Sequence, residues 1–220
     1  MSTPSGEEVP NSISNSTLQA MLAARRGSGQ ERPEHVPNED PSVQALMVEV
    51  SAFKRLVESG AISGSKADAW KQAMKEEAEV AAIRQKAEGG NTVAMRDLGN
   101  LYRNGSHGLK KDATQAFMWY MRAADLKDVR AITDCGAAYL NGEGVERSEV
   151  RGCTMLGMAA TLGSEHACAI LGQANAQGYH GFDQNPREAT RWYREMKECA
   201  CRHSDKKSRE DAAAWLREHP

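Results

Sequence analysis

Aromatic residues make up only 5% of the 220-residue chain, and the formal net charge is −2. No stretch approaches the roughly 18 apolar residues of a membrane span. The near balance of charge excludes a surface that grips nucleic acid or acidic lipid as a whole, because that affinity comes from many uncompensated Lys and Arg. The first ten residues are polar, include Glu7 and Glu8, and lack the basic start and apolar core of a secretory signal. Without such a signal the five cysteines read as reduced thiols, and the chain as cytoplasmic or nuclear.

The motifs that carry chemistry are missing too. There is no Gly-Lys-Ser/Thr phosphate loop, no metalloprotease helix and no serine nucleophile elbow. Cys199-x-Cys201-x-His203 is the one ligand-like cluster, and zinc sites need a second pair that this sequence does not supply. No catalytic residue, cofactor or metal is therefore expected. An enzymatic, redox or metal role for the Cys and His residues is only a minor alternative.

What the chain does contain is unevenly placed. Five of the seven prolines fall at or before Pro41, and 14 of the 19 glycines lie between Gly89 and Gly181. Residues 1–41 hold no aromatic and are rich in Ser, Pro, Asn and Glu, so they read as a disordered tail that buries too little apolar surface to offset its ordering entropy. Within it, Arg25-Arg26-Gly27-Ser28 resembles a basophilic kinase site, with Ser28 as the phosphate acceptor. From Ser42 to Gly60, Val43, Leu46, Met47, Val50, Phe53, Leu56 and Val57 recur at helical spacing. This helix either packs on the rest of the chain or serves dimerisation through Val43–Val57. A second helix, about Ser65–Glu88, carries Trp70, Ala73, Met74, Val80, Ile83 and Ala87 as core positions and ends at Gly89-Gly90.

Glycine is costly inside helices, so the glycine-rich part asks for a positional explanation. Self-comparison supplies one: Leu98-Gly99, Cys135-Gly136 and Leu171-Gly172 are 37 and 36 residues apart. Gly105, Gly142 and Gly178 follow in register, then Gly108, Gly144 and Gly181, then Tyr120, Leu156 and Tyr193. Each unit reads as two antiparallel helices. Asn91, Asp128 and Ser164 are expected to cap the first helices, and Asp112, Ser148 and Asn185 the second. Asp112 with Gln115, and Asn185 with Glu188, have capping-box spacing. The glycines inside the first helices predict close helix–helix approach.

The run Ala-x-x-x-Leu-Gly-x-x-Tyr-x-x-Gly, followed by Gly, Asp, Ala and Trp-Tyr-x-x-Ala-Ala, resembles the Sel-1-like repeat (SLR) family, which is related to tetratricopeptide repeats. The resemblance implies an all-α solenoid: a half repeat over 65–90, three units over 91–203, and a capping helix over 204–220. It also implies a non-catalytic adaptor that binds a peptide or protein partner on the concave face formed by the first helices. By that analogy the groove positions are Arg96, Asn100, Arg103 and Asn104, then Thr133, Leu140 and Asn141, then Gln173 and Gln177. Carboxamides can hold a peptide backbone, and arginine can grip a carboxylate. The alternative is a regulatory or oligomerising protein that self-associates through the 43–57 helix.

Overall fold

The computed structural model describes residues 51–61, 63–199, 204 and 206–219. Ser28 and the rest of the 1–41 segment, Val43–Val50, Cys201 and His203 lie outside the described residues. Among the described residues there are nine helices and no strand. Their order is α1 (51–58), α2 (Ser65–Glu88), α3 (Thr92–Asn104), α4 (Ala113–Asp125), α5 (Val129–Asn141), α6 (Glu149–Thr161), α7 (Glu165–Gln177), α8 (Pro186–Glu198) and α9 (Lys206–Glu218). Two compact units divide the chain between Glu79 and Val80.

In the first unit Phe53 and Val57 of α1 are buried, together with Ala67, Trp70 and Ala73 of α2. The Phe53 and Trp70 rings meet edge to face, with centroids 5.0 Å apart. Phe53 and Val57 of the 43–57 stretch thus serve the chain's own core.

The second unit is built of helix pairs. α3 packs on α4, α5 on α6 and α7 on α8, and successive pairs meet through α4 with α5 and α6 with α7. All six predicted caps are in place: the side chains of Asn91, Asp112, Asp128, Ser148, Ser164 and Asn185 each accept an N–H from the first helical turn. The capping boxes are only half formed. The backbone N–H of Asp112 donates to Tyr102 O at 2.9 Å, and that of Asn185 to Asn175 O at 2.8 Å. Each of these N–H groups is spent on tying one helix of the pair to the other, so it is not left for Gln115 or Glu188. Ser148 N–H makes the same bond to Tyr139 O.

The helical glycines act as the register predicts. A Cβ on Gly99 would lie 2.5 Å from the Tyr120 ring, one on Gly172 would lie 2.6 Å from the Tyr193 ring, and one on Gly136 would lie 2.8 Å from Leu156 Cγ. An aromatic or leucine side chain of the second helix therefore rests directly on the backbone of the first. Val80, Ala87, Leu98, Ala123, Ala131, Cys135, Ala159 and Ala167 run through a single buried cluster.

α9 closes the last pair by packing on α8 and α7. The Glu165 carboxylate accepts the Ser204 N–H at 3.1 Å and pairs with Arg209 Nε at 3.3 Å. Trp215 Nε1 donates to Thr190 Oγ1 at 3.1 Å. No described helix is long and apolar enough to cross a membrane.

Candidate functional site

The nine groove positions do not share one environment. Arg103, Asn104, Asn141, Gln173 and Gln177 are exposed on the first helices of the three pairs. Among the described residues their polar heads take no hydrogen bond or ion pair, and Arg103 only approaches the Tyr120 ring, at 6.0 Å. Asn100 is half-buried, and its Oδ1 accepts the Tyr120 hydroxyl at 2.8 Å.

The other three are engaged inside the array. Arg96 Nη1 lies 3.2 Å from Asp128 Oδ1, so it links α3 to the cap of α5. Thr133, one unit later in the same register, has its Oγ1 2.9 Å from Ser164 Oγ, the cap of α7. Thr133 is only 2% exposed and therefore cannot line a groove. Leu140 is likewise only 2% exposed. It occupies the register position of Arg103, but Gly152 stands where the first unit has Ala116, and Leu156 where it has Tyr120. A Cβ on Gly152 would meet Leu140 Cδ2 at 2.6 Å, so Leu140 fills the space these two smaller residues leave.

Among the described residues two hollows lie on this face. The smaller, about 150 Å³, is lined by Arg103, Phe117, Tyr120, Asp134, Asn141 and Glu143 among others. Asp134 was not foreseen from the sequence, although it shares its register position with Asp97. Burial raises the pKa of its carboxyl above the ordinary value, against the opposing charge of Arg103. Burial also pushes the Tyr120 hydroxyl up to about 12. Nδ1 of His166, another residue acting on Asp134, is buried with no hydrogen-bond partner among the described residues.

The larger hollow, about 350 Å³, lies between α7 and α9. Gln173 and Gln177 form one wall and Lys207, Asp211 and Glu218 the other, over Ala169, Ala176, Ala214, Tyr193 and Trp215. The α9 side was missed because that helix falls outside the repeat register. Its i, i+4, i+7, i+11 spacing of Lys207, Asp211, Ala214 and Glu218 was the available signal. Among the described residues no group of three or more His, Cys, Asp or Glu is placed to hold a metal ion.

The Sel1 repeat model matches residues 92–128, 129–164 and 165–199. A Sel1 repeat protein from Oxalobacter formigenes superposes with a TM-score of 0.48 at 27% identity, over 53% of this chain and 88% of that one. The c5321 antigen of uropathogenic Escherichia coli, which displays an SLR fold, gives a TM-score of 0.48 at 23% identity, over 82% of this chain and 33% of that one. Helicobacter pylori cysteine rich protein B gives 0.42 at 24% identity, over 61% of this chain and all of that one. No curated protein matches by sequence. The three matched segments coincide with the three helix pairs and their glycine contacts, so residues 92–199 are an array of three Sel1 repeats.

Proposed function

We propose that this chain is a non-catalytic adaptor that binds a peptide or protein partner on the face formed by α3, α5 and α7. One observation carries the reading: Arg103, Asn104, Asn141, Gln173 and Gln177 present unspent polar heads along successive first helices. A solvated helix face needs no hollows, whereas this one carries two among the described residues, flanked by Arg103 and Asn141 and by Gln173 and Gln177. Carboxamides offer both donor and acceptor to an extended backbone, which suits a partner read by its main chain. Cys135, Cys153 and Cys168 are in no disulfide among the described residues, in keeping with a reducing compartment, cytoplasmic or nuclear.

The test is capture of partners from a cell extract by the immobilised full chain, compared with a variant carrying Arg103→Ala, Asn141→Ala, Gln173→Ala and Gln177→Ala. All four side chains are exposed, so the helical circular dichroism should be unchanged. Loss of the captured proteins supports the reading, and unaltered capture overturns it. Arg96 is left intact because its removal would break a link between helix pairs.

A further inference from the structure

We propose that the hollow between α7 and α9 is a binding subsite for an extended peptide that presents an apolar side chain next to a lysine or arginine. The inference rests on the adaptor reading and names the chemistry of the partner.

The hollow exists because of two small residues. In register, Ala169 replaces Arg96 and Thr133, and Ala176 replaces Arg103 and Leu140. Where the earlier units place Arg96 and Thr133, which reach the next cap, Leu140, which fills the core, or the long side chain of Arg103, α7 places a methyl group. The space stays open because α9 is held elsewhere, by Glu165 to Arg209 and to the Ser204 N–H. The result is a floor of Ala169, Ala176, Ala214 and the Tyr193 and Trp215 rings, about 350 Å³ in volume, enough for an apolar side chain and its neighbours.

The walls supply direction and charge. Gln173 and Gln177 stand one turn apart with free carboxamides, a spacing that meets successive groups of an extended main chain. Asp211 and Glu218 stand two turns apart on the same face of α9, and among the described residues neither carboxylate has an ion-pair partner. Lys207 is the one cation in the lining, so carboxylates outnumber cations by two to one. An acidic peptide meets repulsion here, and a basic one finds two acceptors beside an apolar floor.

Fluorescence anisotropy on the full chain tests this. The probe is a labelled octapeptide of Ser, Gly and Leu with two arginines, measured against the same peptide with two glutamates. The arginine peptide is expected to bind at least about tenfold more tightly, with a preference that shrinks as salt is raised. D211N/E218Q should weaken its binding about tenfold at low salt. A176L, which places the second unit's residue on the half-exposed floor of the hollow, should abolish binding with helicity unchanged. R103A/N141A should leave it within about twofold. Equal or tighter binding of the glutamate peptide overturns the proposal, as does undiminished binding by A176L or D211N/E218Q. Loss of binding in R103A/N141A alone would overturn this subsite and leave the adaptor reading standing through the smaller hollow. Binding that none of the variants alters would overturn both.

Discussion

Arg96 Nη1 lies 3.2 Å from Asp128 Oδ1, and that same oxygen caps α5 by accepting the Ala131 N–H at 3.0 Å. One carboxylate thus starts a helix and binds it to the preceding pair, with both side chains nearly out of solvent at 12% and 11% exposure. Asp128→Ala loses both functions and strands the arginine, a cost of about 3 kcal/mol. Asp128→Asn keeps the cap and loses only the ion pair, so it should cost about 1 kcal/mol. Urea unfolding of the two variants separates the roles, and an Asp128→Asn variant as stable as the unsubstituted chain would show that the ion pair with Arg96 contributes nothing.

Gly99 and Gly157 should respond in opposite directions to the same substitution. A Cβ on Gly99 meets the Tyr120 ring at 2.5 Å, so Gly99→Ala forces the pair apart and should cost about 2 kcal/mol. A Cβ on Gly157 meets nothing within 4 Å, so Gly157→Ala should stabilise by about 0.5–1 kcal/mol through helix propensity. Thermal melts decide, and a stabilising Gly99→Ala would contradict the packing described for all three pairs.

Leu140 belongs to the core of the second pair and not to a binding surface. Leu140→Ala should destabilise by about 2–4 kcal/mol and leave the affinity of the folded protein for partners unchanged. Calorimetric melts combined with partner capture below the transition give both readings. Loss of capture without loss of stability would return Leu140 to the groove.

Stability should fall in alkali, through groups that burial keeps protonated. Desolvation pushes the Cys135 thiol up to about 12, with Asp134 and Asp125 adding to the effect. The Tyr120 hydroxyl also moves up to about 12, again mainly by burial. Both hold their protons more tightly folded than unfolded, so their contribution is complete below the unfolded values of 9.0 and 10.0 and is lost as pH rises toward about 12. Urea midpoints measured from pH 8.5 to 11 should decline across that window, and Cys135→Ala should flatten the decline. An identical slope in the variant would show that the thiol titrates alike in both states.

The backbone plan was legible because local rules set it. A cap must be followed by a helix and a left-handed glycine must end one, so Asn91, Asp128, Ser164, Gly105, Gly142 and Gly178 mark boundaries without reference to the rest of the chain. Gly99 opposite Tyr120 was legible only as a need for closeness, since the register does not name the partner atom. The groove was half legible. Helical spacing shows which residues turn away from a helix's own partner, but not where the next pair's cap lies, so Arg96 and Thr133 were misplaced. Leu140 was misplaced because two substitutions elsewhere, at Gly152 and Leu156, opened a space for it. The capping boxes failed for a similar reason, since Tyr102 O and Asn175 O reach the N–H groups first. The α7–α9 hollow depends on α9, which carries no repeat register to align.

The most direct measurement of the central claim is a nuclear magnetic resonance titration of the ¹⁵N-labelled full chain with the two-arginine octapeptide. The side-chain amide signals of Asn141, Gln173 and Gln177 report the first-helix face, and the Trp215 indole reports the α9 side of the larger hollow. The account predicts that the Gln173, Gln177 and Trp215 signals shift together and saturably, while backbone signals of Met118 and Met158, exposed on α4 and α6, stay in place. Shifts confined to α4 and α6, with those three signals unmoved, would contradict it.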